Sequence, residues 1–357
     1  TGFVDRAGTY TTRLQKISRL RSEAGRVGWQ LEHDMEFGQG TLQNFQTLKE
    51  HTLDRTCSDT CSEKEFWRRL AACRDLTVQY ASDVVGSFCD DSFGTWNLET
   101  LPMHPDWGFA SMGFHAPGVT SPMCYVGVLG SMFAWHHEDN DLYSMSYMHQ
   151  GTSKTWYGIP GKFRDQTAAA AVALFGAVDD DPEFLSRKTT MVSPSAFLKR
   201  GIPVYKIVQK PGEFVLTCAS AFHSGFSHGF TCAEAVNLAP PEWLEYGMHA
   251  VRRSRRIGKE GVLDVERIII CAGPSFAGGQ AYRKLVDWHA QTLKALASRG
   301  ICILPMNTVH LRFRETCVVC RHVLFLIQCA CACSPLQYYC PEHTSHMHCC
   351  DERLPGR

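Results

Sequence analysis

The stretch "AWHHEDNDLYSMSYMHQGTSKTWYGIP", residues 134–160, sets His136, His137, Glu138 and Asp139 side by side in otherwise apolar, aromatic-rich chain. His136 and Glu138 are separated by one residue, so on a strand both side chains point to one face and His137 to the other. One strand can then offer two ligands to an ion while a neighbouring strand supplies a third. Two histidines and a carboxylate form the facial set that holds non-haem iron(II) and leaves positions open for cosubstrate and oxygen. The third candidate lies in "AFHSGFSHGF". His223 follows the apolar "EFVLTCASAF" directly and is expected at a strand end facing inward; a hydrogen-bonded core histidine is the bland alternative. His228, past a glycine turn, reads as a loop histidine, and His137 as a residue covering the outer face.

A second constellation lies near the C-terminus. Of seventeen cysteines, eight fall between Cys317 and Cys350. The run "CVVCRHVLFLIQCACACSPLQYYCPEHTSHMHCC" contains a Cys-x2-Cys start and a Cys-x2-His, pairs that four-ligand zinc sites combine across a loop. Cys317, Cys320, Cys340 and His343 make one site. A second draws on Cys331, Cys333, His348 and Cys350, with Cys329 and Cys349 as competing choices. The remaining thiols are scattered, which fits a reducing compartment better than a disulfide framework.

The elements around these residues alternate short strands with one helical insertion. "SEKEFWRRLAACRD" has Ser62 and Glu65 at capping-box spacing and reads as a helix; "LTVQYASDVVGSF" reads as a strand. Strands follow at "MCYVGVLGSMFAW", "LYSMSYMHQ" and "KTWYGIP". "RDQTAAAAVALFGAV" and "SPSAFLKRG" are helices, and strands resume at "VYKIVQKPGEFVLTCASAFHSGF" and "TCAEAVNLAP". Upstream, "TTRLQKISRLRSEAG" is expected to be helical and "GQGTLQNF" a loop. The fold class is mainly β with helices (α+β), a double-stranded jelly roll. The expected divisions are a helical and loop segment over 1–62, the jelly roll over 63–250, a helical domain over 251–312 and a zinc-binding finger over 313–357.

Composition narrows the function. At 357 residues, 44% hydrophobic and 20% charged, the chain is an ordinary folded protein rather than a disordered one. No apolar run is long enough to span a bilayer. The formal net charge is zero, so no bulk pull toward nucleic acid is implied. The run "RRSRRIGK" at 252–259 fits a nuclear localisation signal, a phosphate contact or a solvated helix face; its neutral surroundings argue against strong DNA binding. Thr1 is not a natural start, so a segment cut from a longer chain is expected.

"MFAWHHEDNDLYSMSYMHQGTSKTWYGIP", joined to "GEFVLTCASAFHSGFSHGFTCAEAVNLAPPEWL", resembles the JmjC domain of histone lysine demethylases from about residue 63 to 250. The resemblance includes the W-H-x-E-D block, a lysine eighteen residues after His136, and the "HSGFSHGFTCAE" block. It implies iron(II) and 2-oxoglutarate as cofactors, with His136, Glu138 and His223 as iron ligands. Lys154 and Tyr80 match positions that hold the distal carboxylate of 2-oxoglutarate. Ser144 matches a cosubstrate contact and Phe133 a stacking wall. Ser146 stands where the family usually has Asn, and a lost hydrogen bond there costs on the order of 1 kcal/mol. Gly118 and Tyr125 match the methyl-lysine pocket; Met123 replaces a second Tyr and Ala235 a Ser found in some relatives.

The tail resembles the cysteine-rich double-zinc finger of the subfamily that also carries ARID and PHD modules, whereas "KTTMVSPSAFLKRGIPVYKIVQKPGEF" resembles plant-type JmjC demethylases. A JmjN segment is not recognisable. The resemblance therefore implies demethylation of a methylated histone H3 tail in the nucleus, within a chromatin complex, with zinc in the finger. A JmjC-type protein hydroxylase and a catalytically silent chromatin-binding scaffold are the alternatives.

Overall fold

The computed structural model describes residues 9–21, 27–33, 38–41, 62–72, 75–105, 107–111, 116–176, 181, 183–258, 261–274, 279–304, 315–331 and 333–347. The chain divides into two units, Thr1–His104 with Phe114–Leu238, and Pro105–Gly113 with Ala239–Arg357.

Two antiparallel sheets make the first unit. The larger has nine strands: β1 (Thr9–Arg21), β2 (Val27–His33), β3 (Gly38–Thr41), β4 (Asp75–Val85), β5 (Met123–Gly127), β7 (Tyr143–Gly151), β9 (Thr190–Met191), β11 (Phe214–Thr217) and β13 (Thr231–Leu238). Its order is β11-β7-β13-β5-β4-β1-β2-β9, with β3 also on β1. The smaller sheet runs β10-β8-β12-β6, from β6 (Met132–His136), β8 (Lys154–Ile159), β10 (Tyr205–Gln209) and β12 (Phe222–Ser227). From β5 to β13 consecutive strands alternate between the sheets, as a jelly roll requires.

The expected helix over residues 11–25 is corrected: Thr9–Arg21 is a strand paired with both β2 and β4. Leu14, Ile17 and Leu20 recur at a spacing that suits a helix. The burial pattern has period two instead, with Gln15 and Ile17 buried and Lys16 exposed between them. Strands available on either side outweigh helix propensity. Gln15 is buried because both ends of its amide are used: Nε2 donates to the Met132 carbonyl at 2.7 Å, and Oε1 accepts from the Met132 N–H at 3.1 Å. That clamp ties the larger sheet to the first residue of β6. The loop expected at "GQGTLQNF" contains β3.

Helix α1 (Glu63–Ala72) begins as its sequence predicts, with the Glu65 N–H donating to Ser62 Oγ at 3.3 Å. It buries Phe66, whose ring stacks on Phe226 of β12 at a centroid separation of 3.7 Å. Helices α2 (Arg164–Phe175) and α3 (Pro194–Leu198) occupy the insertion between β8 and β10. Trp135 Nε1 donates to the Val192 carbonyl at 2.7 Å, and its ring meets Phe197 of α3 edge-on. A core of Ile17, Trp29, Phe66, Trp135, Phe222 and Phe226 joins these elements.

The second unit has helices α4 (Trp243–Arg256), α5 (Val265–Ala272) and α6 (Gly279–Ser298), then the hairpin β14 (Cys329–Cys331) and β15 (Ser334–Tyr339). Arg255, within the basic run, is buried and donates to Glu266 of α5 at 2.7 Å, so that residue serves packing rather than a solvated face. Among the described residues, no helix is long and apolar enough to cross a membrane.

Phe66→Ala removes a fully buried ring from the contact of α1 with β12 and is expected to cost about 3–5 kcal/mol. Urea denaturation followed by tryptophan fluorescence checks this; a midpoint equal to that of the unaltered chain contradicts it.

Candidate metal centre

The register of β12 on β6 places His223 directly opposite His136. β6 ends at His136, but the backbone stays extended through Glu138 (φ −69°, ψ 154°), so the same-face relation of His136 and Glu138 carries past the strand end. One donor atom from each of His136, Glu138 and His223 lies within 4.8 Å of the others. The imidazole centroids are 4.3 Å apart, and His223 Nε2 is 3.4 Å from Glu138 Oε1. His136 Nδ1 contacts the Ala134 carbonyl at 2.7 Å and His223 Nδ1 the Ala221 carbonyl at 3.1 Å. A carbonyl only accepts, so each Nδ1 carries the proton and each Nε2 presents a lone pair. His223 thus begins a strand, where a strand end was expected.

The turn after Glu138 is strained. Asn140 and Asp141 both adopt left-handed backbone, at φ 50° and 54°, as does Ser220 at φ 60°. Ser220 Oγ donates to the buried Asp141 carboxylate at 2.5 Å, tying the loop that carries Glu138 to the segment entering β12. His137 is not a residue of the outer surface. It is buried, 3.2 Å from Asp141 and in the network that Arg164 makes with Glu183, and its ring meets Phe222 edge-on.

Electrostatics prepare the three side chains for a cation. Burial above all, with the Lys188 charge, holds the His136 imidazole well below its ordinary value, so it is neutral and able to ligate. Burial raises the Glu138 carboxyl, but His223, Lys188 and His136 outweigh it and keep it well below the usual carboxylate range. Lys188 was not legible in the sequence. It sits in left-handed backbone within the insertion, between α2 and α3, with Nζ 3.6 Å from Asp139, and nothing in its flanks marks it.

The other candidates fall on the strands around this cluster. Lys154 opens β8, is buried, and makes no ion pair among the described residues; its Nζ lies 5.9 Å from the Phe133 ring centroid. Burial lowers its ammonium to about 8. Phe133 packs on Trp156 and lies 6.4 Å from the His223 ring, between cation and metal cluster. Gly225 makes this placement feasible: a Cβ there would sit 2.4 Å from the Phe133 ring and 2.2 Å from the Thr155 carbonyl. The ladder is bulged between His223 and Gly225.

Tyr80 on β4 is buried, with its ring 6.5 Å from that of Tyr125 on β5. The Tyr125 hydroxyl donates to Asp83 at 3.1 Å. Ser144 on β7 shares a 2.7 Å hydrogen bond with Thr217, and Ser146, two residues on, is buried. Ala235 pairs with both Ser146 and Met123. Gly118 has φ +76°, and the Met123 side chain packs where its Cβ would be. His228 lies beyond β12, its Nε2 2.7 Å from Thr155 Oγ1. A cleft of about 320 Å³, lined among others by Trp156, Ile207, Leu216 and Ala221, reaches His223.

In the second unit, Cys317, Cys320, Cys340 and His343 bring four donor atoms within 4.8 Å of one another. Cys320 and Cys340 sulfurs are 3.9 Å apart, and the hydrogen bond from Cys340 lowers the Cys320 thiol. Three thiols and an imidazole in this arrangement fit tetrahedral zinc. Of the second set, Cys331 and Cys333 have sulfurs 3.0 Å apart, while His348 and Cys350 lie outside the described residues, as does the competing Cys349. Cys329 is buried instead against Leu296 and Tyr339.

Residues 123–238 match the family model described as "JmjC domain, hydroxylase". The chain is 42% identical over 221 residues to "Lysine-specific demethylase JMJ706" of Oryza sativa subsp. japonica, covering 58% of this chain and 26% of that protein. It is 30% identical over 342 residues to "Lysine-specific demethylase JMJ17" of Arabidopsis thaliana, covering 83% of this chain and 28% of the relative. It is 37% identical over 191 residues to "Lysine-specific demethylase 4B" of Mus musculus, covering 53% and 17%. The chain therefore spans less than a third of the length of these relatives.

Cys320→Ser is expected to lower the zinc content of the purified chain by one ion, read by elemental analysis. A zinc content equal to that of the unaltered chain would remove Cys320 from the ligand set.

Proposed function

The chain is a JmjC-domain protein, and from that premise we propose that it is an iron(II)- and 2-oxoglutarate-dependent lysine demethylase acting on a methylated histone H3 tail in the nucleus. The observation that carries this reading is the cluster of His136, Glu138 and His223, with both Nε2 lone pairs presented to one point beside a buried Lys154 that makes no ion pair among the described residues. Nuclear placement and a chromatin partner follow from the substrate and from the likeness to named lysine demethylases.

Two imidazoles and a carboxylate on one face fit iron(II). When bound, the metal with 2-oxoglutarate and O2 supplies oxidation of an N-methyl C–H bond, forming succinate and CO2. The protein residues have separate tasks. Lys154 presents a desolvated cation to the distal carboxylate of 2-oxoglutarate, with Tyr80 and Ser144 as hydrogen-bond donors and Phe133 as the wall beside it. Ser146 takes the place of an amide and reaches less far. Tyr125, held by Asp83, and the backbone at Gly118 frame the methylammonium together with Ala235. The hydroxylated methyl group is a hemiaminal, which loses formaldehyde as its N–C bond breaks and a proton returns to nitrogen. This route needs no nitrogen lone pair, so trimethyl-lysine is within reach. In the tail, Cys317, Cys320, Cys340 and His343 hold one zinc, and Cys331, Cys333, His348 and Cys350 a second.

Mass spectrometry of mono-, di- and trimethylated H3 peptides, incubated with the protein, iron(II), ascorbate and 2-oxoglutarate, tests the proposal. Loss of one CH2 from a peptide, absent with His136→Ala, is expected. A stable gain of one oxygen would instead make the chain a hydroxylase; unconsumed 2-oxoglutarate would make it a silent scaffold.

The Lys154 ammonium, lowered to about 8 by burial, is charged below that pH and lost above it. The KM for 2-oxoglutarate is therefore expected to rise as pH increases through this range. Lys154→Met should have a higher KM that no longer rises there; a wild-type KM constant from neutral pH to well above 8 contradicts the assignment.

A further inference from the structure

Cys89, His149 and Glu234 form a third cluster in which one donor atom from each lies within 4.8 Å of the others, and it shares no residue with the iron-type or cysteine-rich sites. The three residues come from separate pieces of chain: the segment leaving β4, strand β7 and strand β13. Glu234 has no exposed surface, and the His149 side chain keeps only 5%. Cys89 Sγ is 2.8 Å from Glu234 Oε1, and His149 Nε2 is 3.2 Å from Glu234 Oε2. The Ser87 hydroxyl and the Phe88 N–H donate to the same carboxylate at 3.0 and 2.5 Å, and the Cys89 N–H donates to Ser87 Oγ at 3.0 Å. Phe88, Phe93 and Tyr147 surround the His149 ring edge-on, at centroid separations of 5.5, 5.8 and 4.7 Å.

We propose that Cys89, His149 and Glu234 hold a zinc ion that staples the segment after β4 to strands β7 and β13. The donor set is thiolate, imidazole and carboxylate, the three zinc ligand types, with a water to take the fourth tetrahedral position. The charges close: a dication, a thiolate, a carboxylate and a neutral imidazole sum to zero, so burial incurs no net charge. Binding displaces the thiol proton, which leaves to solvent, and replaces the Cys89-to-Glu234 hydrogen bond with two metal–ligand bonds. Ligand bonds of about 2.0–2.3 Å around a tetrahedral ion require donors about 3.5 Å apart, so Cys89 must retreat from Glu234 by less than an ångström. Cys89 lies in the half-buried segment over residues 87–90, and that movement falls on its side chain. The Phe88 N–H and Ser87 hydroxyl remain on the carboxylate and orient it toward the ion. Without the ion, burial and the Glu234 charge push the Cys89 thiol up to about 12, so it is a protonated donor in a hydrogen-bond network. The ion reverses that state.

Crystals of the intact chain, grown without added metal, allow diffraction data to be collected above and below the zinc absorption edge. An anomalous peak between Cys89, His149 and Glu234 that vanishes below the edge is expected, and its absence overturns the proposal whatever the other zinc sites contain. In parallel, Cys89→Ala should contain one zinc ion fewer per chain than wild type while keeping its circular dichroism, and Cys89→Asp, which puts a carboxylate donor in place of the thiolate, should recover it. Folded Cys89→Ala with the wild-type zinc content also overturns the proposal, leaving the three residues as a metal-free hydrogen-bond network.

Discussion

The antiparallel pairing of β12 with β6 is the constraint on which the metal centre depends. His136 and His223 are 87 positions apart in the chain, and only that register sets their rings 4.3 Å apart. A slip of one residue would turn His223 to the other face and bring Ser224 inward. Several features hold the register. Gln15 clamps both backbone groups of Met132 at the start of β6, Phe66 stacks on Phe226 near the end of β12, and the Asp141–Ser220 hydrogen bond ties the two ligand-bearing loops. Because β12 also pairs with β8, the same alignment places Lys154 across from Ser227 and Trp156 across from Gly225. Metal ligands and the buried cation are therefore set by one ladder.

This arrangement concentrates costs that local structure alone would not tolerate. Asn140, Asp141, Lys188 and Ser220 adopt left-handed backbone around His136, Glu138 and His223, and a lysine ammonium is removed from water without a carboxylate partner among the described residues. Desolvation of a cation is expensive unless something compensates it. Under the proposed function a dicarboxylate ligand would supply that compensation, and a metal dication would do the same for Glu138. The protein is organised for its ligands, with the surrounding apolar core bearing the cost of holding these groups in place.

The parts of this organisation that were legible in the sequence are those written in short spacings. His136 and Glu138 declare a shared face by the single residue between them, Ser62 and Glu65 declare a helix start, and the Cys-x2-Cys and Cys-x2-His pairs declare a four-donor cluster. His223 was legible from its apolar flank, and it ranked above His228 because His228 follows a glycine turn; the family resemblance then made it an iron ligand. Lys188 could not be found this way, because its charge reaches Glu138 through a turn some fifty residues downstream. The segment Thr9–Arg21 was misread for a related reason: apolar residues three apart suit a helix, while the pairing partners that decide for a strand lie elsewhere in the chain.

The Cys89–His149–Glu234 cluster shows the same limit in another form. Each residue is unremarkable in its own flank, and the three are separated by sixty and eighty-five positions. Sheet topology alone makes them neighbours, since β13 pairs with both β5 and β7 and the segment after β4 folds back against them. Those strands carry Tyr125, Ser144, Ser146 and Ala235, the residues that match cosubstrate and substrate contacts. A rigid tie at Glu234, adjacent to Ala235, fixes the strand spacing on which those contacts rest. The larger sheet is thereby anchored at a second point, on the strands that carry those residues rather than on the ladder that carries His136 and His223.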